Sequence, residues 1–453
     1  MVLLLAACSK SNFLDKKPSM DIVVAKTLTD FNNLLENTTI IRRTGSLAQM
    51  SADDYIIPDF AVWQGLSNNM QRNSYIWAKD IYGGDNGILD WNALYTSVFY
   101  ANAVLDGLES AAEKSTAQGQ YLKGWALFVR AYAFYDLTRN FCKAYDAGTA
   151  ATDLGIPLRS TSAIEHIAQR ATLQESYDRI LGDLKLAETL LPAERPSANL
   201  NRPSKIAVDA LMARIYLDMR NYSLAETYAD KCLGRYSTLI DYNTVSPTAA
   251  VPFSTTNDEL IYNTHQIPYN AEITGALPSL AAKISPELLG LYDKDDLRLP
   301  IYFAFTAATN SYSIKSGYYG AGLYPFTGLA TDEVYLIKAE CLARRNEPDL
   351  AMERLNSLLI RRFPNTAAKP YQPLVATSSL DALDKILLER RKELVWRGIR
   401  WHDLKRLNKE GANITLSRTL NGVVYTLPPN DPRWVFPIPD EEISESGIRQ
   451  NIR

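Results

Sequence analysis

Apolar residues recur at helical spacing in two long parts of the chain. Between residues 208 and 219 they return every three or four positions, which predicts an amphipathic helix. A polar turn at 220–223 follows, and a second apolar stripe runs from Leu224 to Leu233, so the two helices form a hairpin. The same pattern returns at 335–342 and 351–358. Both hairpins resemble tetratricopeptide units, in which small residues let paired helices approach closely.

The apolar pattern predicts further helices at residues 91–110, 120–140, 172–191 and 379–407. Thr172 is followed three residues later by Glu175, which is the signature of a capping box at the start of a helix. Ser204 is predicted to cap a helix that begins at Lys205.

Segments rich in Pro, Gly, Asn, Thr and Tyr separate the helical parts. The main ones are residues 51–90, 241–330 and 410–440, where any strands are expected to be short. The helical scaffold is expected mainly at residues 91–240 and 331–407. Because no flexible linker divides the chain, we expect residues 9–453 to form one globular unit whose long loops carry the function.

Composition narrows the function. The 453 residues carry a formal net charge of −3, so nothing favours a nucleic-acid partner. The chain has 26 Tyr and 7 Trp against 13 Phe. Tyr and Trp combine an apolar face with a polar group, and therefore suit both wet binding surfaces and helix contacts.

The first eight residues look like the end of a secretory signal. Leu5, Ala6, Ala7 and Cys8 fit the bacterial lipobox, whose cysteine is acylated. We therefore interpret residues 1–8 as the end of a lipoprotein signal and Cys8 as the lipidation site. The remaining cysteines, Cys142, Cys232 and Cys341, are widely spaced, which favours free thiols over a disulfide framework or metal site.

Motifs spread over nearly the whole chain resemble the SusD/RagB family. The N-terminal matches are Phe13-Leu14-Asp15, Trp91, Leu94-Tyr95, Ala101-Asn102, Arg130-Ala131-Tyr132 and Gly155-Ile156-Pro157-Leu158. The C-terminal matches are Glu389-Arg390, Glu393-Leu394, Gly398, Arg400, Asp403-Leu404, Trp434, Phe436-Pro437-Ile438-Pro439 and Gln450-Asn451. Arg397 departs from the family, which commonly has an acidic residue there. Lys10 and Ser11 also depart, since surface-exported relatives often carry acidic residues after the cysteine.

The resemblance implies a mostly α, SusD-like fold with about four tetratricopeptide-like helix pairs supporting an irregular, loop-rich ligand-binding region with a few short strands. It implies a lipid-anchored protein of the outer membrane, facing the cell surface. Such proteins bind oligosaccharides or similar nutrients without cleaving them, and pass them to a SusC-like, TonB-dependent outer-membrane transporter.

Sugar binding requires aromatic rings that stack on the CH faces of a pyranose, with polar groups for its hydroxyls. The resemblance places the site in the loops before the helix at Trp91 and in the middle region. The candidate ligand-binding residues there are Trp63, Trp77, Tyr82, Tyr319 and Tyr324. The alternative is that these rings anchor the irregular region to the helices. Trp91 and Tyr95 lie on a helix and are assigned to the core.

Two other functions stay open. A helical-repeat adaptor or transporter lid without its own sugar site is compatible with the hairpins. A glycan-cleaving enzyme would need two carboxylates, for which Asp53-Asp54 and the acidic run at residues 293–296 are candidates. The charged group formed by Glu389, Arg390, Glu393, Arg400 and Asp403 is interpreted as a structural network. No catalytic residue, metal or cofactor is predicted, because no nucleophile elbow, metal-ligand spacing or phosphate-binding loop is present.

Overall fold

A computed structural model describes residues 25–276, 281–318, 320 and 322–453. Cys8 and Tyr319 therefore lie outside the described residues, and the lipidation and binding roles predicted for them stay predictions.

Helices account for most of the regular structure. The first ten are α1 (Leu28–Leu35), α2 (Thr38–Ile41), α3 (Leu47–Ser51), α4 (Phe60–Gln64), α5 (Asn69–Tyr75), α6 (Leu89–Ser110), α7 (Ala117–Phe141), α8 (Leu173–Leu190), α9 (Lys205–Asp218) and α10 (Tyr222–Arg235). The others are α11 (Ala271–Thr274), α12 (Pro286–Leu289), α13 (Arg298–Tyr302), α14 (Thr331–Arg344), α15 (Pro348–Leu359), α16 (Ser379–Glu393), α17 (Arg400–Lys409) and α18 (Asp440–Ser446).

The long helices form a layered scaffold. Each helix from α6 to α10 packs against the next one, and α10 also packs against α14, which in turn contacts α15 and α16. Helix α7 is buried on all sides from Gly124 to Phe141, because α6, α8 and shorter elements pack around it. Most of its buried residues are apolar, and its buried charges are paired, Arg130 with Asp183 at 2.8 Å and Arg139 with Asp136 at 2.8 Å.

Both predicted hairpins are confirmed. Ala213 and Ala229 are fully buried where α9 meets α10, and Ala339 and Ala351 are fully buried where α14 meets α15. The absence of larger side chains lets the helices approach closely, as the tetratricopeptide-like spacing predicts.

Local capping signals define two helix starts. The Thr172 hydroxyl accepts from the Glu175 N–H at 3.1 Å, and the Glu175 carboxylate accepts from the Thr172 N–H at 2.8 Å, which confirms the capping box. Helix α9 begins at Lys205 as predicted, but the Ser204 side chain makes no capping hydrogen bond. Trp91, Cys232 and Cys341 are buried as expected, and the two cysteines are free thiols. Tyr95 packs against the core but is only partly buried, and its hydroxyl donates to the Pro157 carbonyl at 2.9 Å.

The helix predicted at residues 379–407 is wrong in one respect. The chain breaks into α16 and α17, because Trp396 and Gly398 adopt left-handed φ values of 62° and 65°. A right-handed helix cannot continue through such residues. The Trp396 indole N–H donates to the Thr274 carbonyl at 2.8 Å, which ties the break to the irregular region.

Strands are short, as predicted, and many of them join distant segments. They are β1 (Arg43–Thr44), β2 (Tyr55–Ile56), β3 (Leu154–Pro157), β4 (Arg170–Thr172), β5 (Leu260–Tyr262), β6 (His265–Gln266), β7 (Lys283–Ile284), β8 (Phe303–Thr306), β9 (Ser311–Ile314), β10 (Leu329–Ala330), β11 (Leu416–Leu420) and β12 (Val423–Leu427). Strand β1 pairs in parallel with β6, and β2 pairs antiparallel with β7. These two pairings hold the N-terminal loops against the middle region, where the candidate site lies.

Candidate functional site

Two of the predicted ligand-binding residues lie in the protein core. Trp77 is 1% exposed, and its indole N–H donates to the Ser51 carbonyl at 2.9 Å. Tyr82 is 2% exposed, and its hydroxyl donates to the Pro437 carbonyl at 2.6 Å. A ring without an open face cannot stack on a sugar, so this structure corrects the assignment of both residues. They anchor the loops to the interior, which is the alternative that the sequence left open.

Trp63 lies differently, at the surface of α4. Asp59 caps this helix by accepting from the Ala61 N–H at 2.6 Å. The Trp63 ring stacks on Phe60, with 5.5 Å between centroids and 16° between planes. Its indole N–H donates to the Arg72 carbonyl at 3.0 Å, which fixes the ring while part of it stays exposed. An oriented, half-buried ring of this kind is suited to stacking on a ligand.

A polar network joins this helix to the middle region. The Glu272 carboxylate of α11 accepts from the Ser67 N–H at 3.0 Å and from the Gln71 amide at 2.7 Å. Burial opposes ionisation of Glu272, but these hydrogen bonds outweigh it and lower the pKa of the carboxyl group. Asn68 also donates to Asn270 at 3.0 Å. An ionised carboxylate and two amides therefore lie on the segments that flank the Trp63 helix.

Tyr324 lies on a segment that runs beside the same part of the molecule. The carbonyl before it, of Leu323, accepts from the Ala276 N–H at 2.9 Å, and the carbonyl after it, of Pro325, accepts from the Gln266 N–H at 3.0 Å. Tyr324 is half-buried, and Tyr269, on the segment that these backbone hydrogen bonds flank, is 42% exposed. We use the name aromatic face for Phe60, Trp63, Tyr269, Glu272 and Tyr324, because hydrogen bonds join the three segments that carry them.

The sequence analysis missed Phe60, Tyr269 and Glu272. Their role depends on the pairing of β1 with β6, which places residues 265–276 against the N-terminal loops. The only local signal was an aromatic residue in a Pro-Tyr-Asn turn at 268–270.

A small aromatic cavity lies beneath residues 315–326. Phe253, Tyr302, Tyr318 and Trp396 contribute to its lining, and the space is about 40 Å³. This is far below the roughly 300 Å³ at which ligand pockets begin. Arg397 stacks on the Tyr318 ring at 3.8 Å and pairs with Asp332 at 2.5 Å. Arg397, where the sequence departs from the family pattern, therefore joins Tyr318 to Asp332 on the scaffold helix α14.

Buried ion pairs form the floor of the irregular region. Arg298 pairs with Asp296 at 2.7 Å and with Glu389 at 2.5 Å, and its other nitrogen pairs with Glu393 at 3.0 Å. Arg362 joins Glu393 to Glu259. Burial raises the pKa of Glu259, and the adjacent Arg362 guanidinium opposes this rise.

These contacts confirm that the charged C-terminal group is structural. Arg390 pairs with Asp403 at 2.8 Å, and Arg400 pairs with Asp53 at 2.8 Å. Three of the carboxylates considered for glycan cleavage are used within the fold, since Asp296 is bound by Arg298, Asp53 by Arg400, and Asp54 is 1% exposed. Of the other two, Asp295 pairs with Lys369 at 2.5 Å and Asp293 is exposed.

Among the described residues, no helix combines the length and apolar character that crossing a bilayer requires. Likewise, no group of three or more His, Cys, Asp or Glu side chains in the described part of the chain is arranged to hold a metal ion.

Comparisons with known proteins identify the fold. A family model described as "Starch-binding associating with outer membrane" matches residues 12–217, and one described as "SusD family" matches residues 324–452. A SusD-like protein of Formosa agariphila is 24% identical over 71% of this chain and 72% of its own.

Solved structures agree with these matches. A SusD superfamily protein of Bacteroides thetaiotaomicron superposes with a TM-score of 0.73 at 22% identity, over 94% of this chain and 100% of its own. A SusD-like carbohydrate binding protein of Bacteroides vulgatus superposes with a TM-score of 0.70 at 22% identity, over 93% of this chain and 97% of its own. With its helix hairpins, short strands and C-terminal charged helices, this chain belongs to the SusD/RagB family.

Proposed function

We propose that this protein is a non-catalytic, glycan-binding lipoprotein of the outer membrane. It captures oligosaccharides and passes them to a partner TonB-dependent transporter. The observation that carries the proposal is the aromatic face, which combines the stacked, half-buried Trp63 ring with the ionised, half-buried Glu272 carboxylate. Apolar rings bind the CH faces of a sugar, while a carboxylate accepts hydrogen bonds from its hydroxyls.

Family membership supports the same proposal. One matching family is described as starch-binding, and one similar structure is that of a SusD-like carbohydrate binding protein. The Cys8 lipobox supports anchoring, because acyl chains hold a protein at a membrane with about 0.8 kcal/mol per buried CH₂.

The first test is a binding screen of the full-length protein against polysaccharides and oligosaccharides, by affinity electrophoresis and calorimetry. We expect saturable binding without release of reducing sugar. Trp63→Ala and Tyr324→Ala should each weaken that binding by about ten-fold or more, because truncating a central aromatic contact typically costs over 1.4 kcal/mol. Sugar release would overturn the non-catalytic assignment.

The matched control is Tyr100→Ala. Tyr100 is also a half-buried aromatic residue, but it lies on α6 and contacts Phe99, with 6.2 Å between centroids. Its removal should leave the affinity unchanged. Equal losses in Tyr100→Ala and Trp63→Ala would show that the effect is not local to the aromatic face.

The membrane and transporter claims need separate tests. A palmitate analogue should label the wild-type protein but not Cys8→Ser, because only a thiol at this position receives the acyl chain. Cross-linking in intact outer membranes should recover a TonB-dependent transporter. Recovery of the transporter without any glycan binding would favour the lid without its own sugar site.

A further inference from the structure

A second cleft lies on another part of the molecule. Its walls come from the segment after α7 at residues 143–154, from α17, and from the C-terminal segments 430–435 and 449–452. Its volume is about 580 Å³, which falls within the range of pockets that bind small ligands. The cleft shares no lining residue with the aromatic face, so any ligand that it binds occupies a different site.

Lys405 is a buried charge in the wall of this cleft. It is 7% exposed, and its ammonium donates to the Arg139 carbonyl at 2.7 Å and to the Cys142 carbonyl at 2.9 Å. These carbonyls end α7, where the helix dipole favours a cation. Among the described residues, one N–H of the ammonium has no acceptor and no carboxylate lies within ion-pairing distance of it.

Burial lowers the pKa of Lys405 to about 8. A buried charge without a counterion is costly, so this side chain is stabilised by any anion that reaches it.

His402, which lies beside Lys405, also lacks polar partners. His402 is 5% exposed, and neither of its ring nitrogens has a hydrogen-bond partner within the described part of the chain. Both His402 and Lys405 line a cavity of about 20 Å³, which has room for one water molecule. Burial, followed by the charges of Arg139 and Lys405, lowers the pKa of His402 well below its ordinary value. The same cavity is lined by Arg139, which pairs with Asp136 at 2.8 Å, and by Asp218, whose carboxylate accepts from the Tyr135 hydroxyl and favours the charged form of Lys405.

At the rim, the acidic groups are already paired. Asp153 accepts from Lys143 at 2.6 Å, and Lys409 pairs with Asp146 at 2.7 Å. Asp431 is held by Arg433 at 2.9 Å. The guanidinium of Arg449 is exposed, and no carboxylate in the described ranges pairs with it. Two cations, Lys405 and Arg449, are thus left without counterions around one cleft.

We propose that this cleft is a second binding site, for a sugar that carries a carboxylate or sulfate group. The anionic group is bound by Lys405 and Arg449, and the sugar ring lies in the remaining volume against the apolar wall at Pro432 and Val435. A free inorganic anion would fill only a small part of 580 Å³, which favours a saccharide. The site goes beyond the proposed function, because the aromatic face contains no unpaired cation among the residues that define it.

The test is calorimetry of the full-length protein with four probes: digalacturonate, a sulfated disaccharide, neutral galactobiose and sodium sulfate. We expect one or both acidic disaccharides to bind about ten-fold or more tightly than galactobiose and than sulfate alone. Affinity should fall as the pH rises through about 8, where Lys405 loses its proton. If galactobiose binds as tightly as the acidic disaccharides, the conclusion that the ligand is anionic is wrong. If free sulfate binds as tightly, the conclusion that the ligand is a saccharide is wrong.

Single substitutions test whether the acidic disaccharide binds in this cleft. Lys405→Met should abolish measurable binding, and Arg449→Ala should weaken it by about five-fold, as expected for one exposed charge-assisted contact. Because Lys405→Met also removes two hydrogen bonds at the end of α7, Arg449→Ala is the variant whose folding is not in question. Lys185→Ala, which removes an exposed cation on α8, should change nothing.

The two sites can fail independently. Trp63→Ala should leave binding of the acidic disaccharide intact, even where it abolishes binding at the aromatic face. If Trp63→Ala weakens acidic-sugar binding while Arg449→Ala does not, the ligand binds at the aromatic face and the second site is refuted. If no neutral glycan binds in the screen, the proposed function is refuted, but the acidic-sugar site can still be tested.

Discussion

The floor of the irregular region and its aromatic face differ in how completely their side chains are buried and bound. In the floor, Arg298, Arg362 and Glu393 are fully buried, and each charge has a partner. In the aromatic face, Trp63 is fixed by one backbone hydrogen bond and keeps part of its ring open. Burial therefore decides whether a charged or aromatic side chain stabilises the fold or is free to bind, and residue type alone does not.

The sharpest contrast is between two tryptophans. Trp77→Ala should lower the free energy of unfolding by about 4 to 5 kcal/mol, because it empties a fully buried site beside Arg418. Trp63→Ala should lower it by less than about 1.5 kcal/mol, since part of that ring is already solvated. Urea denaturation measures both. Similar losses in the two variants would show that burial does not distinguish the two tryptophans.

The ion pairs of the floor give the next largest effect. Glu393→Gln should lower the free energy of unfolding by about 3 to 4 kcal/mol, because the buried charges of Arg298 and Arg362 each lose one carboxylate partner. Glu287→Gln is the matched control, since Glu287 pairs with Arg391 at 3.1 Å but its side chain is 74% exposed. That change should stay within about 0.5 kcal/mol. A small effect at Glu393 would mean that the floor tolerates unpaired charge.

Acid should weaken the scaffold through Glu340. Burial opposes its ionisation, but Arg406 and Arg344 outweigh this and lower the pKa to about 2 from an ordinary value of 4.5. The folded state therefore binds fewer protons than the unfolded chain between these values. About 3 kcal/mol of stability is present above pH 4.5 and is lost as the pH falls towards 2. Glu340→Gln should flatten this part of the stability profile, and an unchanged profile would contradict the assignment.

Packing inside the scaffold gives the smallest effect. A Cβ at Gly107 on α6 would lie 2.4 Å from the Phe31 ring, so Gly107→Ala should cost about 1 to 3 kcal/mol. A Cβ at Gly182 on α8 meets nothing within 4 Å, and Gly182→Ala should stabilise the helix by about 0.5 to 1 kcal/mol. Thermal unfolding of the two variants should move in opposite directions. Equal shifts would show that α1 does not pack on α6 as closely as described.

The sequence predicts the scaffold better than the candidate site. Helices such as α9 and α14 are visible because their small and apolar residues recur at a period that burial imposes. The break between α16 and α17 is missed, because a tryptophan in a left-handed conformation has no local signature.

For the aromatic face, the sequence indicates only the long loops in which its residues lie. Trp63, Trp77 and Tyr82 all follow the same kind of polar, aromatic sequence, yet only Trp63 keeps an exposed ring. Which ring turns inward depends on partners such as Ser51 and Pro437, which tertiary contacts bring together. Pairings between distant segments are not encoded in the spacing of nearby residues.

The ion pairs of the floor also constrain how the chain can fold. Arg298 pairs with Glu393, which follows it by 95 residues, and Glu259 pairs with Arg362, which follows it by 103. A chain that emerges from the ribosome N-terminus first therefore keeps Glu259 and Arg298 hydrated until these partners have been made. Contacts of such long range slow folding, because each loop must close before its ion pair can form. The last third of the chain thus sets the time at which the middle can become buried.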